Sequence, residues 1–229
     1  MNRETLVAEA TADAAAEAEA RATERVITFS DAVVAIAITL LALALTPPAG
    51  TSHWTDGQFL SALHANDSQY FAFLISFVVI GSHWASHRSV TRYMCRLNGT
   101  FNRLNMIWLL MMIMTPFATK LLSGQGGSSA RYTIYAVIQI IATTCLMLMS
   151  RMVARGNLLR RDAPEQARQP DIVPYLGLCL IFLVSIPVAF IAPGSPWPYV
   201  LWIASPLAVR GLRRIMARGR HTASEDSRG

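Results

Sequence analysis

The sequence predicts an all-α membrane protein with six transmembrane helices and both termini in the cytoplasm. Composition points there first: 53% of the 229 residues are hydrophobic, 15% are charged, and the mean hydropathy is +0.36. A soluble domain does not carry that balance, whereas a polytopic membrane protein does. Second, apolar stretches recur at 26–47, 68–86, 104–122, 132–150, 172–192 and 197–216. At about 1.5 Å rise per residue, roughly 20 residues cross a hydrocarbon core about 30 Å thick. Third, the basic residues alternate between connections. Arg88, Arg92, Arg96 and Arg103 lie between spans two and three, and Arg151, Arg155, Arg160, Arg161 and Arg168 between spans four and five. The C-terminal tail carries Arg210, Arg213, Arg214, Arg218, Arg220 and Arg228, whereas segments 48–67 and 193–196 carry none. Positive charge concentrates on the cytoplasmic side of membrane proteins. The formal charge of +6 and the pI of 9.7 therefore report topology, not nucleic-acid binding. Some of these arginines are also placed to meet anionic lipid head groups.

Taken in order, residues 1–24 are rich in Ala and Glu and lack the apolar core of a signal peptide. They read as a cytoplasmic polar tail, either helical or disordered. Span one, 26–47, is long and apolar but carries Ser30 and Asp31 near its start and Thr39 at mid-span. Span two is interrupted near its end by Ser82, His83 and Trp84, with His87 one turn later. Span three opens on Leu104-Asn105. The loop SGQGGSS at 123–129 is glycine-rich, but it lacks the Lys-Ser/Thr of a phosphate-binding loop. Segment 156–171, with Pro164 and Pro170, is a cytoplasmic connection to span five. Span six contains Pro198 and Pro206, and 217–229 is a second polar tail. Cys95, Cys145 and Cys179 show neither a disulfide framework nor metal-ligand spacing and read as small apolar residues. No internal repeat reproduces the Phe29-Ser30-Asp31 cluster.

Polar groups inside a span are costly, so each needs a partner or a water-filled surface. Span one starts inside, span two ends inside and span three starts inside. That order sets Asp31, His87 and Asn105 at similar depth, within reach of Arg25. A buried polar clamp between the three helices satisfies such groups. A proton relay, a metal site or a catalytic dyad would use the same residues. His83 and His87 are an i, i+4 pair, but no HExxH-type motif accompanies them. Ser30 and Asp31 are adjacent, so they point about 100° apart and form no nucleophile–base pair.

A second pattern runs along span one. At about 100° per residue, Phe29, Ala32, Ile36, Thr39, Leu40 and Leu43 form one stripe. Asp31 lies roughly 140° round the helix from Ile36 and about 80° from Thr39. A lone Thr in a span usually bonds back to the i−4 carbonyl. If identical copies of span one met round an axis, the stripe would line a pore with rings of Ile36, Leu40 and Leu43 and one hydroxyl ring at Thr39. Apolar constrictions of that kind gate by dewetting.

Arg25-xxx-Phe29-Ser30-Asp31-Ala-Val-Val-Ala-Ile36-xx-Thr39-Leu40-Leu41 resembles the signature of the transmembrane-protein-175 family of potassium channels, in its bacterial single-repeat form. Trp84-xx-His87, Leu104-Asn105 and Pro116-Phe117-Ala118-Thr119 fit the same pattern, so the matching motifs run from Arg25 to Thr119. Spans four to six match only in number and hydropathy. The resemblance implies a six-span subunit, a homotetramer, and a central pore lined by the first helix. It implies a constriction at Ile36 with further rings at Leu40 and Leu43, and a potassium preference associated with Thr39. It assigns Arg25, Phe29, Ser30, Asp31, Trp84, His87 and Asn105 to an inter-helix network behind the pore helix. His83, Ser82 and Ser86 fall outside it. The expectation is thus a passive channel of the bacterial cytoplasmic membrane, a multi-pass protein without cofactor, metal or nucleic-acid partner. Its partners are copies of itself, potassium ions and lipid; its channel domain spans 25–216. A proton-coupled secondary transporter using Asp31 and His87, and a membrane enzyme using His83 and His87, are the rival readings. Inverted repeats or broken helices, which the transporter reading calls for, are not visible in the sequence.

Overall fold

The computed structural model describes residues 3–48, 54–124, 128–156, 158–160, 162–169, 171–193, 195 and 197–204, and they are helical with short connections. Helix α1 runs Arg3–Leu40 and tightens into a 3₁₀ turn at Leu41–Ala44. It is followed by α2 (Asp56–His64), α3 (Asp67–Thr91), α4 (Gly99–Leu122), α5 (Ser129–Arg155) and α6 (Val173–Ile191). A further helix, α7, begins at 197 and is described as far as 204. Five of these helices are long and apolar enough to cross a membrane: α1 with its 3₁₀ turn, α3, α4, α5 and α6. The remainder of the expected sixth span, residues 205–216, and the tail 217–229 lie outside the described residues.

The first 24 residues are where the structure adds most to the sequence reading. From Arg3 onward they are helix, continuous with span one. The run AAAEAEA has high intrinsic helix propensity and contains neither Gly nor Pro, so nothing breaks the helix before the membrane. Every residue from Glu9 to Ala22 is exposed. One ion pair crosses from this part to the α3–α4 connection, Glu19 Oε2 to Arg96 Nε at 2.8 Å. The segment 48–67 also holds a short helix, α2, started by a reciprocal cap between Thr55 and Gln58.

The long helices share two apolar clusters. One joins α1, α3, α4 and α5 through Val34, Leu41, Ile80, Trp108, Met112 and Met149. The other joins α3, α4, α5, α6 and α7 through Ala72, Ala118, Tyr135, Phe182 and Trp202. Asn98 caps α4 by accepting from the Phe101 N–H at 2.7 Å, which fixes where that helix begins and so the depth of Asn105. Met94 and Leu159 form an antiparallel bridge that ties the α3–α4 connection to segment 156–171. Cys145 is buried, while Cys95 and Cys179 are half-buried; all three are free thiols.

Candidate functional site

Helix α1 divides lengthwise into two faces. Ser30, Val34, Ala37, Leu41 and Ala44 are buried against the rest of the subunit. The opposite face is left uncovered: Ile36 is 58% exposed, Leu40 38% and Leu43 74%. Ala32 and Thr39 are exposed with them, so the stripe read from periodicity is the one that this subunit's own helices do not cover. The 3.6-residue repeat is enough to produce this division, because the buried positions recur at i, i+4, i+7 and i+11 from Ser30.

The polar residues of the buried side meet at the cytoplasmic end. Ser30 donates to the Val26 carbonyl at 2.8 Å and accepts from Asn105 Nδ2 at 2.9 Å. Asn105 Oδ1 accepts from His87 Nε2 at 3.0 Å. Beyond it, the His87 ring stacks on Trp108 at 4.4 Å and 2°. Trp108 Nε1 in turn donates toward His83 Nδ1 at 3.4 Å. Asp31 has a separate partner, since Trp84 Nε1 donates to its Oδ1 at 2.9 Å. The other side of that indole faces the Arg88 guanidinium, 5.1 Å from the ring centroid. Five of the residues selected from the sequence, Ser30, Asp31, Trp84, His87 and Asn105, are therefore joined by two sets of hydrogen bonds from α1 to α3 and α4. Arg25 and Phe29 stand apart from them. Both are exposed, on the wall of an open groove with Ala22, Val26, Asn102 and Met106. Asp31 and His87, the pair a proton relay would use, are bound by different residues.

Thr39 differs from the sequence reading by one residue. Its hydroxyl donates to the Ile36 carbonyl at 2.8 Å, the i−3 position instead of i−4. The helix is about to tighten into the 3₁₀ turn, which brings i−3 carbonyls closer. Because the proton is engaged by the backbone, the oxygen lone pairs remain on the exposed stripe.

Several polar residues were not singled out by the sequence. Gln69, 7% exposed on α3, donates to the Ala44 carbonyl and to Thr46 Oγ1. Thr119 Oγ1 lies 2.7 Å from Ser76 Oγ, which lies 3.1 Å from the Tyr135 hydroxyl. Gln139 Nε2 donates to Thr115 Oγ1 at 3.2 Å. Each is an uncharged polar residue inside an apolar run, and that is the only sequence signal it offers. Among the described residues, no group of three His, Cys, Asp or Glu is placed to hold a metal ion.

Residues 25–116 match the family described as endosomal/lysosomal potassium channel TMEM175. The chain is similar to a potassium channel of Streptomyces collinus, at 31% identity over 175 residues, covering 73% of this chain and 82% of that one. It is also similar to a potassium channel of Chamaesiphon minutus, at 34% identity over 146 residues, 64% of this chain and 68% of the relative. Among solved structures, the fold resembles a lysosomal potassium-selective channel TMEM175 homolog from Chamaesiphon minutus. The TM-score is 0.67 and the identity 24%, covering 84% of this chain and 98% of that one. A second likeness, to a variant of the potassium channel MtTMEM175 in complex with a nanobody fusion protein, has a TM-score of 0.54 at 20% identity, over 87% and 93% of the two chains.

Proposed function

This chain belongs to the TMEM175 family of potassium channels, and from that premise we propose that it is a potassium-permeable channel whose pore is lined by α1. The relatives that share most of its length are named as potassium channels. In this reading four copies assemble with their first helices round a central axis in the bacterial cytoplasmic membrane. Each contributes six spans within a 25–216 channel domain, with both termini inside. The observation that supports it best is the uncovered stripe of α1. A helix pinned along one side by Ser30, Asp31 and its small apolar residues carries, on the other, large apolar side chains with no partner in its own subunit.

Ile36 would form the narrowest ring, with Leu40 and Leu43 beyond it. Rings of aliphatic side chains offer no oxygens to replace a hydration shell, so conduction requires the ring to widen until water fills it. Thr39 adds the one hydroxyl ring, and its oxygen lone pairs suit a cation better than its proton would. That is a modest device, and the selectivity expected from it is correspondingly modest. The network of Ser30, Asp31, Trp84, His87 and Asn105 then has a mechanical role, holding α1 against α3 and α4 while the stripe faces the ions. Passive conduction through such a pore needs no cofactor.

Purified protein in potassium-loaded liposomes tests this. Flux down the potassium gradient alone, raised by Ile36→Asn, is the expected result. Flux that strictly requires a proton gradient would instead establish the transporter reading.

A further inference from the structure

The outer end of α1 changes its winding where its sequence gives no reason to. Residues 40–45 read LLALAL, and Leu and Ala are among the strongest α-helix formers. Pro47 disfavours α geometry only at Thr46, the residue before it. Yet the helix tightens at Leu41–Ala44 and ends at Leu45, whose backbone is extended at φ −80, ψ 116. What meets this turn from outside is Gln69. Its side-chain N–H donates to the Ala44 carbonyl, one of the carbonyls that a helix C-terminus leaves without a donor. The same amide bonds Thr46 Oγ1, 2.9 Å from its Nε2 and 3.3 Å from its Oε1. Leu41 and Ala44 are buried beneath it, at 0% and 7% exposure.

The winding matters for direction. Three residues make a full turn of a 3₁₀ helix but only about 300° of an α-helix. In the tightened turn Leu43 therefore stands over Leu40, about 6 Å further along the axis. In a continuous α-helix it would be displaced about 60° to one side and about 4.5 Å along. We propose that Gln69 is a positioning residue for the outer constriction: by capping Ala44 it holds the turn that aligns Leu43 with Leu40. This rests on the reading that the α1 stripe faces the ions. It gives the pore helix a second anchor, on α3, independent of the one that Ser30 and Asp31 provide at the cytoplasmic end.

Cysteine accessibility in the full-length channel separates the two claims. Leu43→Cys and Ile36→Cys are each made in a background with Cys95, Cys145 and Cys179 replaced by alanine. Block of potassium current by a water-soluble cationic thiol reagent is then timed. In the parent both sites should react; if neither does, the pore reading fails and takes this proposal with it. Adding Gln69→Met, which keeps the side-chain length but removes the donor, should slow reaction at residue 43 several-fold and leave residue 36 unchanged. Gln69→His, which retains a ring N–H at similar reach, should restore the parent rate at 43. An unchanged rate at 43 in Gln69→Met, or equal slowing at both sites, overturns the role given to Gln69. Should Gln69→Met not assemble, Gln69→Glu, equal in shape and presenting oxygen where the donor was, is read the same way.

Discussion

Replacing Asn105 with leucine removes one side chain that holds α1, α3 and α4 together at the cytoplasmic end. Asn105 is fully buried and makes two inter-helix hydrogen bonds, to His87 at 3.0 Å and to Ser30 at 2.9 Å. The substitution leaves volume nearly constant, so a cavity contributes little. Ser30 keeps its bond to the Val26 carbonyl and loses only a donor to its oxygen. His87 fares worse, because its Nε2–H is stranded in a ring that is 1% exposed. A net hydrogen bond is worth about 1 kcal/mol, and an unsatisfied buried donor costs about 1–3 kcal/mol. Inter-helix bonds in bilayers average nearer 0.6 kcal/mol, since the separated helices find other partners. Together these place the loss at about 2 kcal/mol, with roughly 1 and 4 as bounds. The sign of the coupling is more diagnostic than its size. His87→Phe in the Asn105→Leu background removes the stranded donor, so the double variant should be more stable than the sum of the singles predicts, by about 0.5–3 kcal/mol. Reversible unfolding in mixed detergent micelles, followed for the two single variants, the double variant and the parent, measures it. Strictly additive losses would mean that His87 and Asn105 do not act as one unit, and the network reading would fall.

Four further outcomes follow from the same geometry. Ile36→Asn should raise potassium conductance in planar bilayers by letting water into the narrowest ring, and unchanged or lower conductance argues against a constriction there. Thr39→Ala should shift the bi-ionic potassium–sodium reversal potential toward zero while Thr39→Ser holds it; equal behaviour of the two removes the hydroxyl from the account. Trp84→Phe deprives Asp31 of its donor and should lower the yield of assembled channel by size exclusion, with single-channel conductance retained. A stable assembly with altered permeation would instead put Asp31 in the ion path. Glu19→Ala should change stability by no more than about 1 kcal/mol, because the Glu19–Arg96 pair is more than half exposed and screened by solvent. A larger loss in the same unfolding experiment would show that the N-terminal helix has a structural role that its exposure does not suggest.

Much of this architecture was legible in the residues. The first five spans appear as helices α1, α3, α4, α5 and α6, because about 20 apolar residues with no breaker specify a helix wherever water is absent. The stripe of Ile36, Leu40 and Leu43 was legible too, since helical periodicity is a property of one segment. Depth ordering brought Asp31, His87 and Asn105 to one end of the bundle, but it did not pair them. It left open an Asp31–His87 contact, whereas Asp31 is held by Trp84 and His87 by Asn105. Arg25 shared the motif and not the network, because its long side chain sits on an exposed groove of α1. The continuous helix from Arg3 was one of two readings that composition allowed, and the absence of any breaker was the cue that favoured it.

The sequence alone thus determined which segments are helices, which face of each is apolar, and where charge collects, because all three depend on neighbours within a few residues. Tertiary structure decided the partners. The bond from Asn105 to Ser30 joins residues 75 positions apart, and that from Gln69 to Ala44 joins residues 25 apart. Neither leaves a local periodic trace. Gln69 adds a case in which a distant contact accompanies a departure from local preference: Leu41–Ala44 favours the α-helix by composition, yet winds as 3₁₀ where a side chain from α3 meets its last carbonyl. A buried carbonyl at a helix end must find a donor, and only the packing of one helix on another determines which residue supplies it.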